Sequence, residues 1–277
     1  MKRILTIAGS DSGGGAGIQA DLKTIAVLGS YGMSVITALT AQNTLGVQGV
    51  HPVPADVVAL QMASVLSDIG ADAAKTGMLV TAETVWAVAQ HLKQYEVKLV
   101  VVDPVMVSES GHALLEKGAR AALTEALLPL AHVVTPNLSE ASAFCGFPVE
   151  DVDAMKRAAR HIHRLGPRWV LVKGGHLKGD AVDILFDGHD FQVFGTKRLD
   201  TANTHGTGCT FSAALSHFLG QGLPMPKAVG EAKGFITRAI AMGLTLGAGR
   251  GPTNPYAHVL HLLKRQGDGR AGVHTGA

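Results

Sequence analysis

The sequence predicts an α/β fold in which helices cover both faces of a mostly parallel sheet. Short β-branched runs alternate with longer helical patterns along the 277 residues, and this rhythm is typical of βαβ units. The run Lys98–Asp103 has an apolar centre without alternation, as in a strand that is buried on both faces. Together these observations predict three layers, with ligands bound at the carboxyl ends of the strands.

The predicted elements follow one another in the order that such a sheet requires. Apolar β-branched runs predict strands at Arg3–Ala8, Met33–Leu39, Ala73–Lys75, Leu99–Val102, Val133–Thr135 and Trp169–Val172. Helical spacing of apolar residues predicts helices at Ala16–Leu28, Pro54–Asp68, Ala82–Tyr95, Lys117–Leu128, Leu138–Cys145, Val152–Leu165, Gly208–Leu219 and Pro226–Leu244. In Asp180–Thr196 two apolar runs flank Asp187-Gly188, which predicts a small antiparallel hairpin.

Composition limits the class of protein. With 47% hydrophobic residues the chain can bury one large core, and we assign residues 1–262 to one domain and the polar residues 263–277 to a mobile tail.

The net charge is +2 without a Lys/Arg block, so we expect neither nucleic-acid nor membrane binding. Two cysteines indicate a reducing compartment. No apolar run approaches the ~20 residues of a membrane helix, and we therefore expect a cytoplasmic protein.

The segment Thr204–Thr210 is the most informative part of the sequence. It places a glycine-rich turn before the apolar helical run Phe211–Leu215. The first N–H groups of a helix have no helical partner, and with the helix dipole they attract an anion such as phosphate. Cys209 lies in this electropositive position, which is expected to lower the pKa of its thiol. We therefore predict a phosphate cradle that contains an acidified base, although a small buried thiol is an alternative.

A second glycine-rich segment, Gly9–Gly17, follows the first predicted strand. Its loose match to a dinucleotide-binding fingerprint requires a carboxylate at the end of the second strand, and Thr37–Asn43 contains none. No glycine-rich loop ends in Gly-Lys-Ser/Thr, so a Walker A motif is absent as well. We interpret the segment as a loop that approaches a ligand closely with its backbone.

Polar residues follow several of the predicted strands. Asp103 ends one strand, and Asn137 with Glu140 has the spacing of a helix capping box. Carboxylate and amide oxygens also suit Mg²⁺ near a phosphate, and both interpretations of this pair stay open. Lys173 is either a phosphate ligand or a solvated lysine at a strand end. His205 is interpreted as a loop residue.

A set of motifs in this order closely resembles one enzyme family. The motifs are Gly9–Asp21, Thr40–Thr44, Lys75–Met78, Asp103–Met106, Thr135–Glu140, Val172–His176 and Gly206–Cys209. They resemble the hydroxymethylpyrimidine/phosphomethylpyrimidine kinases of thiamine biosynthesis, which have a ribokinase-like fold. The resemblance runs from about Arg3 to Leu262. One departure is Ser108–His112, which is less basic than the family pattern.

The resemblance implies two successive ATP-dependent phosphorylations, of a hydroxymethylpyrimidine and then of its monophosphate. The residues implied to line the pyrimidine pocket are Asp21, Gln42, Met78 and Val105. Those implied to form the anion hole and the catalytic centre are Gly206, Thr207, Gly208 and Cys209. Those implied to contact ATP are Lys173, Asn137, Thr207 and Gly208. Asp103 and Glu140 are implied to hold Mg²⁺, partly through water.

Three alternatives remain at this stage, of which a sugar kinase is the least favoured because Cys209 replaces the aspartate usual in that class. A pyridoxal or pyridoxine kinase would share the fold, because these vitamins also carry a hydroxymethyl group on a heteroaromatic ring. A non-catalytic pyrimidine-binding module would be expected to lose the anion hole, Lys173 or Glu140, and all are present. We expect a homodimer, with the hairpin Asp180–Thr196 as a candidate contact.

Overall fold

A single mixed sheet crosses the centre of the molecule. The computed structural model describes residues 1–108, 111, 113–116, 118–175, 177 and 179–271. In chain order the strands are β1 (Arg3–Asp11), β2 (Tyr31–Asn43), β3 (Gly46–Pro52), β4 (Ala73–Thr76), β5 (Val100–Val102), β6 (Val133–Val134), β7 (Trp169–Val172), β8 (Ala181–Phe186) and β9 (Phe191–Thr196). Among the described residues they pair in the order β3-β2-β1-β4-β5-β6-β7-β8-β9. In this spatial order, the neighbouring strands β2, β1, β4, β5, β6 and β7 are all parallel to one another. The outer strands β3, β8 and β9 pair antiparallel with their neighbours.

Helices separate the parallel strands along the chain, and further helices follow the last strand. They are α1 (Gly17–Val27), α2 (Ala55–Asp68), α3 (Ala82–Gln94), α4 (Ala119–Ala122), α5 (Leu138–Cys145), α6 (Val152–His163), α7 (Thr207–Gly220), α8 (Met225–Ala241) and α9 (Ala257–Ala271). A π-helical turn (Leu123–Leu127) and a 3₁₀ turn (Leu128–Leu130) continue α4. Pro129 lies in that last turn, and its missing N–H ends the helical hydrogen bonding.

Alternate residues of the central strands face two separate cores. In β5, Val100 and Val102 belong to the core shared with α2, α3 and α6. Val101 between them belongs to the core shared with α7 and α8. Since successive side chains of a strand point to opposite faces, both faces of the sheet are covered by helices. The predicted three-layer α/β/α class is confirmed.

Several details differ from the predicted elements. β3 and α9 were not predicted, and β2 continues to Asn43, beyond the predicted end at Leu39. The predicted hairpin is present as β8 and β9, and it extends the main sheet through antiparallel pairing with β7.

The C-terminal segment and one loop are described only in part. Residues 263–271 of the expected tail belong to α9, and residues 272–277 lie outside the described residues. Glu109, Ser110 and His112 of the divergent loop, and His176 after Lys173, also lie outside them. Within the described part of the chain, no helix combines the length and apolar character that crossing a bilayer requires.

Candidate active site

The N-terminus of α7 lies against the carboxyl ends of the parallel strands. Ser212 of α7 donates a hydrogen bond of 3.3 Å to Oδ2 of Asp103, which directly follows β5. A Cβ added at Gly208 would lie 3.4 Å from Nζ of Lys173, which follows β7. Asn137 and Lys173 form a backbone bridge beyond β6 and β7. The structure therefore brings these predicted site residues together at one edge of the sheet.

Residues Gly206–Cys209 form the start of α7, and we call them the anion cradle. Gly206 is the N-cap in a left-handed conformation with φ of 79°. The N–H of Thr207 donates to the carbonyl of Thr204 at 3.1 Å. Within the described part of the chain, the N–H groups of Gly206, Gly208 and Cys209 have no such acceptor. These open donors at a helix N-terminus form a site for an anion.

The conformation of the anion cradle depends on Gly206. A Cβ at this position would overlap the carbonyl oxygen of Gly15, and its φ is positive. We expect Gly206→Ala to move the cradle and to lower kcat at least ~100-fold, the cost of losing one oxyanion donor. Gly222→Ala is the matched control, because Gly222 has a φ of +88° and no atom within 4 Å of the added Cβ. It should lose only ~1–2 kcal/mol of stability. Equal kinetic losses in both variants would contradict this explanation.

Lys173, Asp103 and Glu140 form a charged cluster beside the cradle. Nζ of Lys173 lies 2.8 Å from Oδ1 of Asp103, and Thr135 donates to the same oxygen at 3.2 Å. Burial would raise the pKa of Asp103, but Lys173 and Lys75 outweigh it and hold that pKa below its ordinary value. Burial would lower the pKa of Lys173, and Asp103 with Glu140 raises it instead. At neutral pH the cluster therefore holds an ammonium group paired with a carboxylate.

Asn137 and Glu140 form the predicted capping box. Oδ1 of Asn137 accepts from the N–H of Glu140 at 2.9 Å, and Oε2 of Glu140 accepts from the N–H of Asn137 at 2.8 Å. Burial raises the pKa of Glu140 to about 7, while Lys173 lowers it and Asp103 raises it further. The two residues also line a small cleft with Met106 and Val107. Asn137 and Glu140 therefore cap helix α5. Glu140 can also gain or lose a proton near neutral pH.

The thiol of Cys209 is less acidic than the sequence led us to expect. Its side chain is only partly exposed, and burial raises the pKa of the thiol to about 11. Lys75 acts to lower this pKa, whereas the carboxylates of Asp21 and Asp103 raise it. The expectation of a thiolate at neutral pH is therefore wrong for the protein alone, because desolvation and two anions outweigh the helix N-terminus.

Asp21 is fully buried, and its charge acts on Cys209 of the cradle. Its Oδ2 accepts from Nζ of Lys75 at 2.9 Å and from Oγ1 of Thr6 at 2.6 Å. Its Oδ1 is buried and has no hydrogen-bond partner among the described residues. Lys75 and Asp21 both affect the pKa of Cys209, so this ion pair lies close to the thiol. An unmet acceptor of this kind marks a position where a ligand donor gains a hydrogen bond.

The apolar members of the predicted pocket lie in one cluster. Met78 and Val105 pack with Ala38, Val80 and Leu114. The fourth predicted pocket residue, Gln42, lies on β2, and its Nε2 is 3.3 Å from Nε2 of His205. The amide therefore faces the loop that precedes the cradle.

Sequence reasoning missed several residues that shape the site. Asp11 accepts hydrogen bonds from the N–H groups of Gly13, Gly15 and Ala16 at 2.8–3.0 Å and thereby fixes the glycine-rich turn. Its partner His205, which we interpreted as a loop residue, lies 3.0 Å from it. Their separation of 194 residues gives no local signal.

Lys233, to which the sequence gave no role, supports the turn after Lys173. Its Nζ lies 2.5 Å from Oδ2 of Asp183. The other carboxylate oxygen of Asp183 accepts from the N–H of Gly174 at 3.0 Å. The pair thus holds the backbone that directly follows Lys173.

This fold and this site define a small-molecule kinase of the ribokinase-like class. A sequence model of phosphomethylpyrimidine kinases matches residues 11–254. The chain belongs to the phosphomethylpyrimidine kinase family.

Known proteins of similar sequence and structure cover nearly the whole chain. The hydroxymethylpyrimidine/phosphomethylpyrimidine kinase of Streptomyces coelicolor is 51% identical over 91% of this chain and 93% of its own length. The thiamine biosynthesis bifunctional protein ThiED of Geobacter sulfurreducens is 55% identical over 93% of this chain, which spans only 52% of that protein. A Bacillus subtilis pyridoxal kinase, solved as an ADP complex, superposes with a TM-score of 0.88 at 44% identity and covers 94% of this chain and 99% of its own.

Proposed function

We propose that the protein transfers the γ-phosphoryl group of ATP to the hydroxymethyl oxygen of 4-amino-5-hydroxymethyl-2-methylpyrimidine, and then phosphorylates the monophosphate to the diphosphate. The observation that carries this proposal is the anion cradle together with the buried carboxylate of Asp21, which acts on the pKa of Cys209 in the cradle and whose Oδ1 lacks a partner among the described residues. The cradle suits the transferred phosphoryl group. The unmet oxygen of Asp21 suits the exocyclic amine of the pyrimidine.

The remaining pocket residues fit a flat heteroaromatic ring. Met78 and Val105 belong to one apolar cluster and supply surfaces that pack on ring faces. Gln42 carries an adjacent donor and acceptor, which complement a ring nitrogen next to an amine. The S. coelicolor relative is named for both pyrimidine substrates, which supports the same substrate class here.

ATP and Mg²⁺ are proposed to bind beside Lys173. Within the described ranges, no three His, Cys, Asp or Glu side chains form a metal cage. Asp103 and Glu140 nevertheless both interact with Lys173, and one or two carboxylates with substrate phosphates are the usual protein ligands of Mg²⁺. The residues therefore fit a metal that arrives with the nucleotide. When bound, Mg²⁺ neutralises charge on the phosphates. Lys173 would place its ammonium group beside the phosphates of ATP. Glu140, whose pKa is about 7, would carry the negative charge that binds the metal at pH values above 7.

A coupled ATP assay tests the substrate assignment. The substrates are hydroxymethylpyrimidine, its monophosphate, pyridoxal and pyridoxine, each with and without Mg²⁺. We expect both pyrimidines to be turned over faster than either vitamin, and turnover to require Mg²⁺. Because the B. subtilis structure is a pyridoxal kinase, faster turnover of pyridoxal would replace the proposal with that alternative. Binding of the pyrimidine without ATP turnover would indicate a non-catalytic module.

A homodimer and a cytoplasmic location remain part of the proposal. The edge strand β9 supports a dimer contact, because Val193 on it is 59% exposed and an open sheet edge can pair with another chain. Light scattering during size-exclusion chromatography measures the molar mass of the protein in solution and thereby distinguishes a dimer from a monomer.

A further inference from the structure

Two parts of the site meet at the imidazole of His205. Its Nε2 lies 3.0 Å from Oδ2 of Asp11 and 3.3 Å from Nε2 of Gln42. Asp11 fixes the glycine-rich turn, His205 precedes the anion cradle, and Gln42 belongs to the proposed pyrimidine pocket. One ring nitrogen thus contacts both the carboxylate that fixes the turn and the amide of Gln42.

The protonation of this nitrogen follows from the carboxylate. Burial would raise the pKa of Asp11, but the hydrogen bonds from His205, Ala16 and Gly13 keep it below its ordinary value. Asp11 is therefore ionised at neutral pH and can only accept hydrogen bonds. At 3.0 Å, Nε2 of His205 must carry a hydrogen and donate it. A second donor, the NH₂ group of Gln42, then cannot face the same nitrogen favourably.

Rotating the Gln42 amide by 180° about its last side-chain bond removes this conflict. Amide oxygen and nitrogen atoms are assigned from their hydrogen bonds rather than from shape. After rotation the oxygen of Gln42 is a second acceptor for the single Nε2–H hydrogen of His205, which Asp11 and Gln42 then share as a bifurcated hydrogen bond. The NH₂ group then faces Oγ1 of Thr40, which is 3.2 Å from the present oxygen position. Thr40 has one hydroxyl hydrogen, which it donates to the carbonyl of Ser10 at 3.0 Å, so its oxygen remains available as an acceptor.

We infer that His205 is a positioning residue, whose Nε2–H fixes the orientation of the Gln42 amide and thereby the hydrogen-bond pattern presented to the substrate ring. This inference rests on the proposed function for the identity of the substrate. The orientation itself follows from the protein alone. With the amide oxygen held by His205 and one N–H held by Thr40, the second N–H and the second lone pair of Gln42 are left for the ring.

The backbone around His205 holds the imidazole in place. The N–H of His205 donates to the carbonyl of Gly251 at 3.0 Å, and its carbonyl accepts from the N–H of Thr253 at 3.1 Å. A Cβ at Gly15 would overlap the imidazole, so the ring packs directly on the glycine-rich turn. A ring held by its backbone and by Asp11 is suited to orienting a more flexible glutamine.

NMR of the ¹⁵N-labelled protein without substrate tests the orientation. Long-range ¹H–¹⁵N spectra distinguish a protonated from an unprotonated Nε2, and a His205→Phe sample assigns the signals. We expect Nε2 of His205 to be protonated at pH 7 and the side-chain NH₂ signals of Gln42 to shift in Thr40→Val. An unprotonated Nε2 would overturn the inference. Because no substrate is present, this result does not depend on whether the substrate proposal holds.

Steady-state kinetics test the consequence for specificity. His205→Phe keeps a ring but removes the N–H, and we expect KM for the pyrimidine to rise about tenfold, the worth of one hydrogen bond, with KM for ATP within twofold. In a Gln42→Ala background the same change should add nothing, because the amide that it orients is gone. Losses that multiply in the double variant, or an equal rise in KM for ATP, would contradict the inference.

A second variant separates orientation from folding. Thr40→Val removes the other partner of the amide and leaves the Asp11–His205 contact in place. It should raise KM for the pyrimidine in the same direction as His205→Phe, with a fall of only ~2–4 °C in the thermal unfolding midpoint, because Thr40→Val also removes the hydrogen bond to the carbonyl of Ser10. A folded Thr40→Val protein with unchanged KM would count against the orientation model.

Discussion

Replacing Lys75 by methionine is expected to lower the free energy of unfolding by about 3–5 kcal/mol. Lys75 and Asp21 form an ion pair of 2.9 Å in which both side chains are 0% exposed. Burial would lower the pKa of Lys75, but Asp21, Cys209 and Asp103 raise it, so the ammonium stays charged. Methionine fills the space of the lysine but leaves the carboxylate of Asp21 buried without its counter-ion. Burial already raises the pKa of Asp21, so its carboxyl group must either remain an uncompensated buried charge or take up a proton, and both cost stability.

Chemical denaturation of three variants checks this prediction. Lys98→Met is the matched control, because Lys98 is exposed and such changes usually stay within about 0.5 kcal/mol. Combining Lys75→Met with Asp21→Leu removes both charges and should restore at least half of the lost stability, since buried pairs can be replaced by apolar side chains at little cost. If the double variant is less stable than Lys75→Met alone, the loss comes from packing rather than from an unpaired charge.

Local patterns were sufficient to predict most of the sheet. Runs such as Lys98–Asp103 have one explanation, a strand covered on both faces, and β5 lies there. β3 could not be predicted, because Gly46–Pro52 contains two glycines and a proline and lacks an alternating apolar face. It forms because β2 offers it an antiparallel partner, with Ala38 opposite Pro52 and Asn43 opposite Gly46.

The site could be predicted where its functional residues are adjacent or closely spaced in the sequence. Gly206–Cys209 and the Asn137–Glu140 spacing each carry their own physical signature, and the structure contains both the helix start and the capping box. The pairing of Asp11 with His205 joins residues that are 194 positions apart. No spacing rule indicates such contacts, because they depend on how α7 docks against β1.

The pKa of Cys209 shows a different limit of sequence reasoning. A helix N-terminus by itself lowers the pKa of a thiol. The main opposing effect is burial, which raises the pKa of the thiol to about 11. The carboxylates of Asp21 and Asp103 raise it further, and all three effects reach the thiol only through the fold. The sign of a pKa shift therefore requires the surroundings of the group and not only its position on a helix.

This raised pKa makes the proposed base role of Cys209 measurable by pH. A thiol with a pKa of about 11 becomes tenfold more ionised with each pH unit between 6 and 9. If the thiolate removes the proton of the hydroxymethyl group, kcat/KM of the first phosphorylation should rise in the same proportion. Above pH 8 the second phosphorylation should not, because its attacking phosphate oxygen then carries no proton that a base must remove, and Glu140, with a pKa of about 7, is ionised in both steps.

Cys209→Ala is expected to slow the first phosphorylation by ~10²–10⁴-fold, the usual contribution of a general base, and the second by less than about tenfold. The two steps share the cradle, Lys173 and the nucleotide, so damage to these would slow both. The comparison uses single turnovers with hydroxymethylpyrimidine and with its monophosphate. Cys145→Ala is the matched control, since the thiol of Cys145 contacts the carbonyl of Ala158 in another part of the fold. Equal losses in both steps would make Cys209 a structural residue of the cradle, because only proton removal distinguishes an alcohol from a phosphate as the attacking group.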